Sequence, residues 1–237
     1  MHQVVIPPSI VDRVIARRGR EHVFADFDPK KSALVVVDMQ NAFMMEGVAH
    51  SPCQEAIEIV PNINRLAKAM RAAGGTVVWI QTAFLEGSLK DWSVMHEMSR
   101  PERTRKRSEA LTPGSIGYAL WDKLDAQPDD LYVEKLRFSA FIQGSSDLEE
   151  ILRARGLDTV IITGTVTSVC CESTARDAMM RNFQTIMVTD GNAASTDEEH
   201  NAALIAFYLT FGDIMPTDML VARCAAMADA APGMAAA

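Results

Sequence analysis

Residues 33–38 read ALVVVD, and this short, continuous, valine-rich stretch decides the fold. A run of this kind is typical of a strand buried on both faces, as in a parallel sheet covered by helices. Similar stretches recur along the chain, and a shorter one closes the series: TVVWIQT (76–82), DDLYVEK (129–135), DTVIITG (158–164), QTIMVTD (184–190) and GDIMP (212–216).

Helical patterns separate these strands. PNINRLAKAMRAAGG (61–75) has apolar residues at helical spacing, a proline at its start and glycines at its end. Further helices are predicted at DLEEILRARG (147–156), from about Cys170 to Asn182, and at EEHNAALIAFYLT (198–210). Because strands that alternate with helices pair in parallel, the sequence predicts a three-layer α/β/α domain around a mainly parallel sheet of about six strands.

The predicted domain spans residues 30–224, after an N-terminal extension (1–29) and before an alanine-rich tail (225–237) that we expect to be a frayed helix end. Residues 85–117 break the strand–helix rhythm. They are charged and rich in Met, Ser, Pro and Gly, and we expect a long loop there. Loops of this length are usually lids, binding segments or partner contacts.

The composition narrows the range of functions. A formal net charge of −8 disfavours binding to nucleic acid or to an anionic membrane. No run approaches the roughly 18 apolar residues of a membrane helix, and the first residues lack the pattern of a signal peptide. The four cysteines (Cys53, Cys170, Cys171 and Cys224) suggest no disulfide framework. We therefore expect a cytoplasmic protein.

Reactive side chains follow three of the predicted strands. Asp38 directly follows ALVVV, Lys135 ends DDLYVEK, and Cys170 comes after TGTVTSV. Alone, each has an ordinary structural explanation: a helix cap, a solvated charge or a buried thiol. Because the carboxyl ends of parallel strands share one edge of a sheet, all three can converge on one crevice.

The chemistry of such a crevice is coherent. A thiol attacks as a thiolate, and both a helix N-terminus and a nearby ammonium lower the pKa of a thiol. We therefore expect a lowered pKa at Cys170, which opens the predicted helix. Asp38 can take the thiol proton and later give it to a leaving amine.

The blocks VVVDMQNAF, VEKLRFSAF and ITGTVTSVCCESTARDA resemble the three signature blocks of the isochorismatase-like cysteine hydrolases. The resemblance covers roughly residues 30–220. It implies that Asp38 is the general base and acid, that Lys135 supports the thiolate and that Cys170 is the nucleophile. It also implies a cis peptide bond at Thr165–Val166, an oxyanion hole formed by the N–H groups of Val166 and Cys170, and a homo-oligomer, either a dimer or a tetramer.

The blocks look closest to the amidohydrolase branch, whose substrates are carbamoyl and ureido compounds. We expect a small linear amide or carbamoyl substrate and no cofactor. Relatives with a metal site carry an Asp-His-His set after the second strand, where this chain has QTAFLEGSLKDW and a lone His96, so no metal is expected. Cleavage of a vinyl ether on the same fold, an idle binding scaffold and a redox sensor at Cys170 and Cys171 remain alternatives.

Eight residues are candidates for the substrate pocket. Phe43 and Phe138 match aromatic pocket positions of the family, although both could be core residues. Arg137 could bind a substrate carboxylate, with a structural ion pair as the alternative. The remaining candidates either follow Asp38, end the second strand or lie in the 85–117 segment: Gln40, Asn41, Thr82, Phe84 and Trp92.

Overall fold

The computed structural model describes residues 1–229. Six parallel strands form one sheet in the order β3-β2-β1-β4-β5-β6. This confirms the predicted fold class. The strands are β1 (Ser32–Val37), β2 (Thr76–Thr82), β3 (Leu131–Lys135), β4 (Thr159–Thr165), β5 (Gln184–Ala193) and β6 (Asp213–Met215).

Helices cover both faces of the sheet. One apolar layer lies beneath α3 (Glu55–Ala72) and α10 (Thr217–Asp229). The other lies beneath α1 (Pro8–Arg18), α7 (Leu148–Ala154), α8 (Glu172–Met180) and α9 (Asp197–Thr210). Successive side chains of β1 pack into opposite layers: Leu34 and Val36 belong to the first layer, and Val35 belongs to the second. Burial on both faces explains the valine-rich run that the sequence shows there.

Helix α3 begins at Glu55, six residues before the predicted start at Pro61. The helical spacing of buried apolar residues continues upstream through Ala56 and Ile59. Pro61 and Ile57 are exposed, so water can reach the Ile57 carbonyl that a proline at position 61 leaves without a helical N–H. The proline is therefore tolerated inside the helix, and the prediction of its start was wrong.

The segment 85–117, expected to be a loop, is largely helical. It contains α4 (Ser88–Asp91), α5 (Ser93–Glu97) and α6 (Pro101–Leu111), and the chain between β1 and α3 adds the short α2 (Asn41–Met44). Pro101 stands at the first position of α6, and Ala110 and Leu111 give that helix a buried end. We call residues 88–111 the covering segment.

The ends of the chain are also helical. Helix α1 lies within the predicted extension and contributes Val14 to the core. Residues 225–229 of the predicted tail continue α10, and the rest of the tail lies outside the described residues. Among residues 1–229, no helix has both the length and the apolar character needed to cross a bilayer.

Candidate active site

The site forms where four neighbouring strands end. Asp38 follows β1, Thr82 ends β2, Lys135 ends β3, and Cys170 comes five residues after β4. Thr82 and Lys135 are direct partners in the register of β2 and β3. The sheet order therefore brings together the three residues that the sequence singled out, and it adds Thr82. We call these four residues the floor of the site.

Asp38 and Lys135 form a fully buried ion pair, with the Lys135 Nζ 2.8 Å from the Asp38 Oδ2. Thr82 bridges them, because its hydroxyl donates to the Asp38 Oδ1 at 2.8 Å and accepts from the Lys135 Nζ at 2.6 Å. The Thr82 backbone N–H also donates to the Asp38 Oδ1, at 3.1 Å. Charges removed from water need such partners, so the floor is stable only as a unit.

Lys135 links this pair to the thiol. Its Nζ donates to the Arg137 carbonyl at 3.1 Å and lies 3.5 Å from the Cys170 Sγ. Burial lowers the pKa of Lys135, but its interactions with Asp38 first and with Cys170 second outweigh burial and raise it above its ordinary value. Lys135 is therefore a fixed ammonium beside the sulfur.

The Cys170 thiol does not have the lowered pKa that the sequence led us to expect. Burial raises its pKa to about 12, and Asp38 adds to the rise, while Lys135 acts in the opposite direction. The sequence shows a helix start and a lysine, both of which lower the pKa of a thiol. Burial of Cys170 raises its pKa by more than these two features lower it. With its pKa raised in this way, the sulfur is a protonated thiol at neutral pH.

The backbone before Cys170 is irregular. The Thr165–Val166 peptide bond is cis, at the position that the resemblance implies. Thr167–Cys171 form a π-helical turn, and α8 begins only at Glu172, so Cys170 precedes the helix that it was expected to open. Single π-helical turns are frequent at functional sites. Among the described residues, the Val166 N–H donates to no other backbone group.

His200 supports this turn from behind. Its Nδ1 lies 2.8 Å from the Thr167 hydroxyl, and its Nε2 lies 2.9 Å from the Thr189 carbonyl. Since a carbonyl only accepts, the proton is on Nε2 and Nδ1 accepts from the hydroxyl. Burial, followed by the stacked His2 ring, lowers the pKa of His200 to about 4. A neutral histidine therefore holds the turn in place.

Gly164 sets how closely the strands carrying Asp38 and Cys170 approach each other. It pairs with Val37 in the sheet and has a φ of +117°. A Cβ at this position would lie 2.0 Å from the Val37 carbonyl oxygen. Only glycine combines this conformation with this contact.

A cavity of about 180 Å³ opens above the floor. Five of the residues that line it were candidates from the sequence: Phe43, Thr82, Phe138, Val166 and Cys170. The others were not foreseen: His50, Ser51, Met95, His96, Ser99, Arg103, Thr104, Arg107 and Val169. Six of these nine belong to the covering segment. Its length and charge were the only signals in the sequence that it reaches the pocket.

Gln40 and Asn41 are placed to hold the backbone rather than a ligand. The Gln40 amide donates to the carbonyls of Thr82 and Tyr118 and accepts from the Thr82 N–H. Asn41 donates to the Ile116 carbonyl at 2.9 Å. These bonds fix the chain that follows α6 against the end of β2, and through Thr82 they also fix Asp38.

Phe84, Trp92 and Arg137 stand one layer behind the cavity wall. Phe84 meets the ring of His96 edge-on, with ring centroids 5.8 Å apart. Trp92 meets Phe138 edge-on at 4.8 Å. Arg137 donates to the carbonyls of Leu136 and Asp91, and its guanidinium lies over the Trp92 ring, so it holds the covering segment in place.

Cys171 is fully buried, and its nearest polar contact is the Thr163 carbonyl at 4.0 Å. Cys171 is not among the residues that line the cavity. No three His, Cys, Asp or Glu side chains within residues 1–229 gather closely enough to hold a metal ion.

Comparisons with known proteins agree with this geometry. The family model described as isochorismatase domain matches residues 32–219. Ureidoacrylate amidohydrolase RutB of Pseudomonas savastanoi pv. phaseolicola is 34% identical over 203 residues, which cover 80% of this chain and 82% of that protein.

Two solved structures are similar over most of their length. A cysteine hydrolase from Pseudomonas syringae pv. phaseolicola 1448A aligns with a TM-score of 0.76 and 29% identity, covering 85% of this chain and 96% of that one. N-carbamoylsarcosine amidase from Thermoplasma acidophilum aligns with a TM-score of 0.64 and 27% identity, covering 79% of this chain and 97% of that one.

Proposed function

Since this chain belongs to the isochorismatase family and is a hydrolase of carbon–nitrogen bonds other than peptide bonds, we propose that Cys170 is its nucleophile. The substrate is a small linear amide, carbamoyl or ureido compound, and the first product is ammonia or an amine. One observation carries the proposal: at the base of the cavity, a buried ammonium contacts both a carboxylate and a thiol.

The raised pKa of Cys170 sets the order of events. Asp38 accepts the thiol proton as the sulfur attacks the carbonyl carbon, and Lys135 stabilises the negative charge that appears on the sulfur. Proton transfer coupled to attack avoids a free thiolate in a buried site. Thr82 keeps the carboxylate and the ammonium in position throughout.

The backbone N–H groups of Val166 and Cys170 receive the oxyanion of the tetrahedral intermediate. Preorganised donors of this kind stabilise the charge that develops in the transition state. When the intermediate collapses, Asp38 returns its proton to the departing nitrogen, which leaves a thioester on Cys170. Asp38 then takes a proton from water, the hydroxide attacks the thioester, and Asp38 returns that proton to the Cys170 sulfur as the acid is released.

The test is ammonia release from a panel of small amides, with wild type beside Cys170→Ala. The panel includes ureidoacrylate, N-carbamoyl amino acids, biuret, maleamate and nicotinamide. Cys170→Ala should lower turnover at least about 10³-fold, since no other group can form the thioester. The adjacent Cys171→Ala is the matched control, because it removes an equally buried thiol away from the cavity wall and should keep most of the activity.

Intact proteins of both variants are compared with wild type by circular dichroism. Equal activity in Cys170→Ala and Cys171→Ala would exclude the cysteine mechanism. A substrate that turns over in wild type and Cys171→Ala but not in Cys170→Ala would identify both the nucleophile and the substrate class.

A further inference from the structure

The cavity above Cys170 is positively charged, although the whole chain carries a net charge of −8. The charged side chains that line it are Arg103 and Arg107, and no Asp or Glu is among its lining residues. Asp38 lies below the cavity and is already paired with Lys135. A small anionic group would therefore find cations and no competing carboxylate in this cavity.

Arg107 is a buried cation that lacks an anionic partner. Its side chain is only 8% exposed, and within the described residues no carboxylate oxygen lies within 4 Å of it. Its Nε has no acceptor, and its Nη1 donates to the Met95 sulfur, which is a weak acceptor. Its guanidinium lies over the Trp92 ring, 5.4 Å from the centroid. A buried charge left in this state is costly unless a ligand satisfies it.

The two histidines of the cavity do not change this balance. Burial, followed by the charge of Arg107, lowers the pKa of His50 to about 3. The same two causes lower the pKa of His96. Both rings are neutral at pH 7, and neither supplies a negative charge. The cavity thus offers a fork of guanidinium donors and uncharged rings facing the nucleophile.

We propose that Arg107 binds a carboxylate of the substrate, so that the enzyme acts on short amides or carbamoyl compounds that carry a carboxylate away from the scissile bond. This inference rests on the proposed function and narrows its substrate class. A planar guanidinium pairs with a carboxylate through two parallel hydrogen bonds. The cavity of about 180 Å³ restricts the acid to a few carbon atoms between its two ends.

Arg107 takes the role for which the sequence offered Arg137. The guanidinium of Arg137 is already engaged with the backbone carbonyls of Leu136 and Asp91 and lies against the Trp92 ring. Both arginines contact this tryptophan, and of the two only Arg107 lines the cavity. This arrangement provides a matched control, because Arg137→Met disturbs the same tryptophan without removing the cavity charge.

The first experiment needs no substrate. Iodoacetate and iodoacetamide alkylate the same thiol and differ in charge, and peptide mass spectrometry reads the rate at Cys170. The ratio of the iodoacetate rate to the iodoacetamide rate should fall about fivefold or more in Arg107→Met. It should be largely retained in Arg107→Lys and in Arg137→Met. Lys135 is present in every variant, so its own attraction for iodoacetate cancels.

The iodoacetamide rate also reports whether a variant keeps the cavity intact. An iodoacetate-to-iodoacetamide ratio that stays at the wild-type value in Arg107→Met would overturn the proposal. So would an equal fall in Arg107→Met and Arg107→Lys, because that would show a structural role rather than a role for the charge. The alkylation rates do not depend on turnover. The experiment can therefore contradict the carboxylate site without contradicting the proposed amidase activity, and the activity assay can contradict the amidase without contradicting the site.

The second experiment compares an acid with its methyl ester, for example N-carbamoylglycine and its ester, or whichever acid in the panel is hydrolysed. In wild type, kcat/KM should favour the acid. Arg107→Met should lower kcat/KM for the acid about tenfold or more, mainly through KM, and leave the ester nearly unchanged. Equal losses for the acid and the ester would contradict a carboxylate contact.

Discussion

The floor of the site and the covering segment are built in opposite ways. The floor consists of four buried residues at the ends of neighbouring strands, and its carboxylate, hydroxyl and ammonium contact one another. The covering segment consists of short helices with exposed charges, and its one buried arginine lacks an anionic partner among residues 1–229. The charges of the floor are paired within it, whereas the buried charge of the cover is not. On our proposals, the sheet therefore supplies the reacting groups, and the helices above it select the substrate.

Breaking the floor should have the largest effect. Lys135→Met leaves Asp38 as an unpaired buried charge, so the free energy of unfolding should fall by about 3–5 kcal/mol. Turnover should fall at least about 10³-fold. Urea denaturation and ammonia release measure the two effects.

The double variant Asp38→Asn with Lys135→Met is the control, since it removes both charges together. Asparagine suits the backbone there, because Asp38 has a φ of 54°. The double variant should regain most of the lost stability and none of the activity. If it is no more stable than Lys135→Met alone, the charge pair is not what holds the floor together.

A smaller effect is expected at Thr82, which joins the carboxylate to the ammonium. Thr82→Val keeps the shape of the side chain and removes the hydroxyl that contacts both Asp38 and Lys135. Stability should fall by about 1–3 kcal/mol, and kcat should fall about tenfold. Thr82→Ser keeps the hydroxyl and should retain most of both. If Thr82→Val is as active as Thr82→Ser, the Thr82 hydroxyl does not position Asp38 and Lys135 for the reaction.

Acid should weaken the turn before Cys170 through His200, which holds that turn in place. Its folded pKa of about 4 lies below the unfolded value near 6.5, so its contribution is complete above pH 6.5 and is lost as pH falls towards 4. The free energy of unfolding should drop by roughly 1 kcal/mol per pH unit in that window on account of this residue. His200→Gln should make the drop shallower, as urea denaturation at pH 7.5, 6 and 5 would show.

His22 should change the pH dependence of stability in the opposite direction. Its hydrogen bond to Asp213 raises its pKa, so its contribution is present below about pH 6.5 and is lost as pH rises through the raised value. His22→Gln should therefore make the drop on acidification steeper. Parallel curves for the two variants would show that neither histidine governs the acid limb.

The smallest effect on stability is expected in the covering segment. Trp92→Ala removes the ring that Phe138 and two arginines contact, so KM should rise about tenfold, while the free energy of unfolding changes by less than about 1 kcal/mol. Leu89→Ala, at an exposed position of α4, is the control and should leave KM unchanged. A large fall in kcat with no change in KM would assign Trp92 to the floor instead.

The difference between the two regions also explains what the sequence could predict. The valine-rich run that ends at Asp38 shows its burial locally, and the alternation of strands with helices predicts which strand ends share one edge of the sheet, so the fold and the meeting of the three reactive residues followed from pattern and topology. In RTRKR (103–107), nothing local distinguishes the arginine that turns inward from its neighbours. Only the docking of α6 on the domain makes that distinction.

The thiol was misjudged for a related reason. Its local surroundings, a lysine and a nearby helix start, favour a thiolate, and the sequence shows both. Depth of burial is a property of the assembled domain, and at Cys170 it is the largest influence on the pKa. The order of the strands and motifs along the chain predicts which charged side chains lie near Cys170. It does not predict how far the thiol is removed from solvent.

The close contact of Gly164 with the Val37 carbonyl has a consequence for anyone who edits this protein. Position 164 lies away from the cavity wall, yet every side chain there would force apart the two strands that position Asp38 and Cys170. A mutational scan should score this glycine as strictly as Cys170, the nucleophile that we propose. Without the structure, the result of such a scan would suggest that Gly164 takes part in the reaction, whereas its role is to let two strands approach closely.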